Sequence, residues 1–280
     1  MTSQAPIRTR SWLFTPATRP ERFAKASQAG ADVAILDLED AVAPGDKARA
    51  RTTALDYLTK NPSDGALHAL RINGLDTRAG ISDLDALLGS TAAPDFLVLP
   101  KTETAGHIEI LDRLLTAAGK ATRLIGLIES ARGLAAVEAI ATATPRLAGL
   151  MLGAADMAAD LGATVAWEPL AFVRCRLIAA CALAGVVSVD SPYFDLHDEP
   201  GLKREVNGAV TFGFSAKAAI HPAQIGAINA ALTPSAEAVT RARAILAENT
   251  KGVGTVDGQM IDEAVARKAR RTLFSAGLEA

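Results

Sequence analysis

Short runs of apolar residues alternate along the chain with segments whose apolar positions have helical spacing. Eight runs predict strands at residues 12–16, 33–38, 67–73, 96–100, 124–129, 147–153, 186–190 and 215–221. Helical patterns lie between them, for example at residues 20–28, 81–88, 107–118, 134–143 and 170–184. Eight alternations with nearly uncharged strands favour an α/β fold, a (β/α)8 TIM barrel, over the alternative of a doubly wound sheet.

The helical pattern continues beyond the eighth predicted strand. Helices are predicted at residues 222–232 and 234–248, followed by a glycine-rich stretch at 252–258 and a last helix at 260–273. We therefore divide the chain into a barrel domain, residues 1–232, and a C-terminal helical extension, residues 233–280. Such an extension suits a cap, a lid over the site or an arm that reaches a neighbouring subunit.

Composition and charge narrow the classes of partner. Of the 280 residues, 49% are hydrophobic and only 4% aromatic, which suits parallel strands covered by helices. The net charge of −2 gives no reason to expect nucleic acid or an anionic membrane as a partner. Cys175 and Cys181 face different directions on one predicted helix, so we expect no disulfide. With no secretory or membrane-spanning pattern, we predict a cytoplasmic protein.

Several predicted strands end in polar residues, and in a parallel barrel all strand ends of one kind meet at one mouth. Glu129 and Asp156 end neighbouring strands. Two hard oxygen ligands in this arrangement predict a Mg²⁺ site that leaves room for water and substrate oxygens. The alternative is that each carboxylate caps a helix or pairs with a cation.

Two further features of this mouth suit an anion. The small residues Ala154 and Ala155 leave backbone N–H groups accessible before a helix, which predicts either a carboxylate site or simply a tight turn. Arg71, at the end of the third strand, has forked donors that suit a carboxylate or a forming oxyanion. Its alternative role is an ion pair with Glu39 or Asp40 that holds the barrel together.

The run Asp37-Leu38-Glu39-Asp40 places three carboxylates at the end of the second strand. They either support Mg²⁺ through water or pair with Lys47 or Arg49, because three such charges repel one another unless a cation lies close.

Two other polar strand ends have competing interpretations. Lys101 suits a Schiff-base nucleophile or, as we prefer, a structural ion pair. His221 is either a base or, as we prefer, a hydrogen-bonded barrel residue.

Taken together, these motifs resemble the citrate lyase β-subunit family, within the wider group of malyl-, citramalyl- and β-hydroxyacyl-CoA lyases. The resemblance covers nearly the whole chain. The matching segments, in family order, are residues 10–16, 37–42, 71–73, 99–101, 128–130, 153–156, 213–217, 220–224 and 257–262.

The resemblance implies a role for several residues. Glu129 and Asp156 match Mg²⁺ ligands, and Arg71 matches the arginine beside the reacting oxygens. The amides around Ala154 and Ala155 match those that hold a keto-acid carboxylate.

Other matches concern the binding of the thioester and the transfer of protons during the reaction. The first-strand loop, with Phe14, Pro16 and Arg19, matches a region that lines the acyl-carrier channel, although Ala17 stands where the family often has Gly. Asp262 matches an aspartate that acts as acid or base in a neighbouring subunit's site. Glu39 joins Arg71 and Asp262 as a candidate catalytic residue.

The activity implied is a Mg²⁺-dependent carbon–carbon lyase. Its substrates would be an acyl-CoA thioester, such as citramalyl-, malyl- or citryl-CoA, and an α-keto acid, such as oxaloacetate, pyruvate or glyoxylate. The assembly implied is a homotrimer or a multiple of trimers. The alternatives are a citrate lyase β-subunit that acts on an acyl-carrier-protein thioester, a class II pyruvate-type aldolase, or a non-catalytic subunit that binds a keto acid or a carrier.

Overall fold

Eight parallel strands close into a barrel in the order in which they occur along the chain. The computed structural model describes residues 9–60, 65–249 and 254–279. The strands are β1 Ser11–Pro16, β2 Val33–Asp37, β3 Leu67–Arg71, β4 Phe96–Leu99, β5 Arg123–Ile128, β6 Leu147–Leu152, β7 Val187–Asp190 and β8 Ala216–Ala219. Because β1 pairs with both β2 and β8, the predicted TIM barrel is confirmed and the doubly wound sheet is excluded.

Helices follow the strands and cover the outside of the barrel. They are α1 Phe23–Gln28, α2 Lys47–Lys60, α3 Arg78–Gly89, α4 Ala105–Ala117, α5 Ala131–Ala135, α6 Val137–Ala141, α7 Ala154–Leu161, α8 Ala171–Ala184, α9 Glu199–Phe212 and α10 Ile225–Leu232. The single helix predicted at 134–143 is wrong. Its backbone leaves the helical region at Ala136, where ψ is 7°, and this break separates α5 from α6.

Apolar side chains fill the interior of the barrel. Trp12, Ile35, Phe96, Ile125 and Met151 are among the apolar residues of this interior cluster. The rings of Trp12 and Phe96 lie 4.9 Å apart between centroids. Because alternate residues of each strand point inward, the other half of the strand side chains packs against the helices. Chemistry is therefore confined to the polar residues at the strand ends.

A second compact unit comprises residues 229–280. It contains α11 Ala236–Asn249, the antiparallel strands β9 Gly254–Val256 and β10 Gln259–Ile261, and α12 Glu263–Ser275. The predicted start of the last helix at residue 260 is wrong, since residues 259–261 form a strand. Residues 250–253, which include the beginning of the glycine-rich stretch, lie outside the described residues. The domain boundary at residue 232 stays a prediction.

Among the described residues, no helix has the length and apolar character needed to cross a membrane. Cys175 is exposed and Cys181 is buried, and neither forms a disulfide.

Candidate active site

Glu129 is the more deeply buried of the two predicted Mg²⁺ ligands. It follows β5 with 4% of its surface exposed, and its Oε1 accepts a 2.7 Å hydrogen bond from the Lys101 backbone N–H. Burial raises its pKa to about 8, and the negative charges of Glu39 and Asp156 act in the same direction. The charged form of Glu129 therefore needs a nearby cation for its stabilisation.

Gly153 allows Glu129 to occupy its position. A Cβ atom at residue 153 would overlap the Glu129 side chain, including its Oε2 atom. The backbone of Gly153 has φ −94° and ψ 84°, so no positive φ requires glycine there. Its role is to provide space beside the carboxylate.

Asp156 and the small residues before it lie in the first turn of α7. Asp156 is exposed, whereas Ala154 is buried. The first N–H groups of an α-helix have no partner within the helix, so the amides near Ala154 and Ala155 suit an anionic oxygen. This turn therefore presents one carboxylate and an anion-binding backbone side by side.

Arg71 is held in a fixed orientation at the end of β3. Its Nε and Nη2 atoms each donate a 2.7 Å hydrogen bond to the Asp37 carboxylate, and its guanidinium lies 4.8 Å from the centroid of the Phe14 ring. Burial acts to lower the pKa of Arg71, but Asp37 and Glu39 raise it above its ordinary value. Arg71 is therefore a permanent cation with one edge fixed by Asp37.

Glu39 lies between the two cations of the mouth. Its Oε2 is 2.8 Å from Arg71 Nη1, and its Oε1 accepts a 3.0 Å hydrogen bond from Lys101 Nζ. The Oε2 contact lacks hydrogen-bond geometry, so this buried oxygen accepts no hydrogen bond within the described part of the chain. Burial is the main cause that raises the pKa of Glu39.

The preferred interpretation of Lys101 agrees with the geometry. Burial acts to lower its pKa, but its hydrogen bond to Glu39 prevails and raises it. A Schiff-base nucleophile must be a neutral amine, so this pairing opposes that role. The residue also adopts a left-handed backbone with φ 49°, in the loop where its N–H contacts Glu129.

The alternative in which the acidic side chains pair with Lys47 or Arg49 is wrong. Lys47 Nζ donates instead to the carbonyl oxygens of Leu38 and Glu39, at 2.9 and 2.6 Å. Arg49 pairs with Asp46 at 2.8 Å. The acidic run is neutralised in part by Arg71, mainly through Asp37, with Asp40 at 3.6 Å.

We call Asp37, Glu39, Asp40, Glu129 and Asp156 the carboxylate cluster. Four of its members interact with Arg71 or Lys101 and Asp156 interacts with Glu129, so five carboxylates accompany two cations. This excess of negative charge and the hard oxygen donors suit Mg²⁺. Within the described ranges no three acidic, histidine or cysteine side chains are placed to bind one ion together. A metal here would thus rely on a carboxylate pair, with water and substrate oxygens completing its coordination.

The remaining predicted residues lie in different surroundings. Phe14 and Pro16 are half-buried at the end of β1, and Arg19 is exposed just after it. His221 is exposed, and its Nδ1 accepts a 3.2 Å hydrogen bond from the Ala223 N–H, which supports a structural role. In the unit 229–280, Asp262 caps α12 by accepting a 2.9 Å hydrogen bond from the Val265 N–H.

A buried charged network beside β7 and β8 was not assigned a role from the sequence. Lys217 is fully buried, and its Nζ donates to Asp190 at 2.6 Å, to the Ser191 carbonyl at 2.7 Å and to Glu205 at 2.8 Å. The other oxygen of Asp190 accepts a 3.0 Å hydrogen bond from Arg174 Nε. An arginine inside the apolar pattern of residues 170–184 was the available signal.

Comparisons with known proteins point to one family. A family model described as HpcH/HpaI aldolase/citrate lyase matches residues 10–222. An L-malyl-CoA/beta-methylmalyl-CoA lyase of Cereibacter sphaeroides is 35% identical, over 93% of this chain and 92% of that protein.

Two solved structures extend the similarity to the fold. RipC from Yersinia pestis is 59% identical with a TM-score of 0.74, over 82% of this chain and 97% of that one. CitE from Mycobacterium tuberculosis, in complex with magnesium, acetoacetate and coenzyme A, is 35% identical with a TM-score of 0.79, over 96% of this chain and 98% of that one.

Proposed function

The chain belongs to the HpcH/HpaI aldolase/citrate lyase family, and on that premise we propose that it is a Mg²⁺-dependent lyase of β-hydroxyacyl-CoA thioesters. It would cleave such a thioester into an acyl-CoA and an α-keto acid, or join the two in the reverse direction. The observation that carries this proposal is the buried carboxylate of Glu129 at the barrel mouth, close enough to Asp156 and Arg71 for both charges to act on it. A family relative that binds magnesium, acetoacetate and coenzyme A supports it.

In this proposal Glu129 and Asp156 hold Mg²⁺, and the other residues bind and orient the substrate. Bound Mg²⁺ would supply Lewis-acid polarisation of the substrate's oxygens. The amides near Ala154 and Ala155 receive the keto-acid carboxylate. Arg71, fixed by Asp37, would direct Nη1, which lies 2.8 Å from Glu39 Oε2, to the oxygen that becomes the keto group.

Cleavage requires the substrate hydroxyl to lose a proton while the neighbouring C–C bond breaks. The O–H electron pair forms the keto C=O bond, and the C–C pair moves to the α-carbon of the thioester, which becomes an enolate. We assign acceptance of the hydroxyl proton to Glu39, because its buried Oε2 has an unfilled acceptor position. A proton delivered to the enolate α-carbon then yields the acyl-CoA. We assign this delivery to Asp262 of a neighbouring subunit.

The test of the proposed function is synthesis in the reverse direction. The purified protein is incubated with acetyl-CoA or propionyl-CoA, a panel of α-keto acids and Mg²⁺, and the CoA products are identified by mass spectrometry. We expect a β-hydroxyacyl-CoA product that disappears when EDTA is added. Absence of any new CoA ester with every pair would overturn the proposal.

Replacing Gly153 by alanine is expected to weaken Mg²⁺ binding, because the added methyl group would displace Glu129. A displacement of about 1 Å lowers catalysis by about 100-fold. Isothermal calorimetry with Mg²⁺ and the rate of CoA-ester formation would measure both effects. The control is Gly226→Ala, since a Cβ there meets no atom within 4 Å. Equal Mg²⁺ affinity in the two variants would contradict the steric role of Gly153.

Asp262→Asn is expected to keep the protein folded but to reduce kcat by about 100-fold or more. Asparagine preserves the acceptor that caps α12, whereas it removes the ionisable group. Asp262→Ala, which loses the cap as well, provides the comparison for stability.

The neighbouring-subunit role of Asp262 has a separate test. Asp262→Asn protein is mixed with Asp156→Asn protein, and the subunits are allowed to exchange. In a trimer with heterologous contacts, roughly a quarter of the sites would then combine Asp156 of one chain with Asp262 of the next. We expect activity above that of either parent. No gain after exchange has been verified by mass would place Asp262 in its own chain's site, or leave it only a helix cap.

A further inference from the structure

A cavity of about 380 Å³ lies beside the candidate active site. Its wall includes Ala155, Val165, Ala166, Arg174, Pro192 and Phe194. Pockets that hold small molecules have volumes of about 300 to 1000 Å³, so this cavity is large enough for a ligand or part of one. Because Ala155 belongs to the turn that offers amides to a carboxylate, the cavity and the proposed keto-acid position share a wall.

Arg174 determines which kind of polar group a ligand in the cavity needs. Its side chain is only 2% exposed, and its Nε donates a hydrogen bond to Asp190. The guanidinium lies 4.3 Å from the centroid of the Trp167 ring. Its Nη1 has no hydrogen-bond partner among the described residues. An unsatisfied buried donor costs about 1 to 3 kcal/mol, so a ligand oxygen that filled this position would be favoured.

The charges around Arg174 decide which kind of oxygen fits. Arg174 and Lys217 are balanced by Asp190 and Glu205 through direct contacts. Asp195 adds a further carboxylate to the cavity wall. A ligand carboxylate would therefore meet no surplus positive charge, whereas a neutral hydroxyl or carbonyl oxygen can accept from Nη1 without that repulsion.

We propose that this cavity receives the part of the keto acid beyond its carbonyl carbon, and that Arg174 selects a neutral, oxygen-bearing substituent there. The inference rests on the proposed function, because it takes the keto-acid carboxylate to lie at the Ala154 and Ala155 amides. The apolar residues Val165, Pro192 and Phe194 admit the carbon chain of the substituent. Arg174 is then a specificity-determining residue, distinct from the residues assigned to bond cleavage.

The experiment compares four keto acids that differ in this substituent: glyoxylate with none, pyruvate with methyl, 3-hydroxypyruvate with hydroxymethyl and oxaloacetate with carboxymethyl. Dissociation constants in the presence of Mg²⁺ are measured by calorimetry, and kcat/KM is measured for condensation with acetyl-CoA. The wild-type protein is expected to favour 3-hydroxypyruvate over pyruvate by at least about tenfold, the effect of one satisfied hydrogen bond. It is also expected to favour 3-hydroxypyruvate over oxaloacetate, because the second carboxylate of oxaloacetate would meet the acidic groups around the cavity.

Two variants test the cavity itself. Ala166→Leu fills the space and should weaken the binding of 3-hydroxypyruvate by at least about tenfold. The dissociation constant of glyoxylate should change by less than about twofold. Arg174→Lys keeps a positive charge beside Asp190 but removes the forked donor, so the preference for hydroxymethyl over methyl should disappear. Arg176→Lys is the matched control, since Arg176 lies on the same helix and pairs with Glu138 instead.

The possible results separate this inference from the proposed function. In one result, the wild-type protein uses the keto acids while both cavity variants alter the dissociation constants and kcat/KM of all four equally, or alter none of them. That result would overturn the cavity assignment and leave the lyase assignment standing. A wild-type preference for oxaloacetate would also overturn it. If the wild-type protein binds none of the four with Mg²⁺, the proposed function fails together with this inference.

Discussion

Glu129→Gln and Asp156→Asn are each expected to lower kcat/KM for CoA-ester cleavage by about 1000-fold or more. An amide has nearly the shape of the carboxylate but lacks its charge, so it cannot replace a ligand of Mg²⁺. Loss of Lewis-acid stabilisation costs several kcal/mol, and each 1.36 kcal/mol corresponds to about a tenfold change in rate. The measurements are kcat/KM at several Mg²⁺ concentrations and the heat of Mg²⁺ binding.

Folding must be separated from metal binding in these variants. Glutamine at position 129 keeps an acceptor for the Lys101 N–H, and Asp156 is exposed, so both proteins should unfold near the wild-type temperature. Asp56→Asn removes an exposed carboxylate from α2 and serves as the charge control. Wild-type turnover by either site variant in the presence of chelator would refute the assignment of these two ligands.

Arg71→Lys is expected to reduce kcat by about 100- to 1000-fold, the range seen when a donor to a forming oxyanion is removed. Lysine cannot reproduce the two parallel hydrogen bonds to Asp37, so its charge would no longer be held at a fixed position. The lost charge-assisted bond should also lower the free energy of unfolding by about 1.5 to 3 kcal/mol. Denaturant unfolding and steady-state kinetics below the unfolding transition measure the two effects separately.

Asp37→Asn distinguishes a catalytic Arg71 from a purely structural one. Asparagine loses the bidentate partner but retains the guanidinium and its forked donors, so the stability loss should resemble that of Arg71→Lys while kcat falls less. If Arg71→Lys retains wild-type kcat and KM in the folded protein, Arg71 serves only the ion pair with Asp37.

The sequence was sufficient to predict the barrel. Each strand needed only an apolar run of the right length, and the polar residue after it marked the strand's end. The partners of those residues were harder to predict. Asp37 and Arg71 are opposite each other in the β2–β3 register, and that register depends on packing between distant segments.

Two local errors have different physical origins. The break at Ala136 carries no glycine or proline signal, so the pattern at 134–143 gave no reason to divide the helix. The β9–β10 hairpin, in contrast, was detectable. Asp257-Gly258 is a turn pair between two short segments, residues 254–256 and 259–261, and both residues have positive φ, 49° and 75°. The regular apolar spacing after residue 260 predicts a helix, and it alone does not reveal that residues 259–261 form a strand.

The buried ammonium of Lys217 also determines how the last strand aligns. Strand β8 consists of Ala216, Lys217, Ala218 and Ala219, and its three small alanine side chains do little to distinguish one alignment from the next. Shifting β8 by one residue would turn Lys217 toward the apolar barrel interior, away from Asp190 and Glu205. If the barrel closed with β8 misaligned, the Lys217 ammonium would be buried without hydrogen-bond acceptors. The ion network discriminates against wrong pairings at the seam where the first and last strands meet.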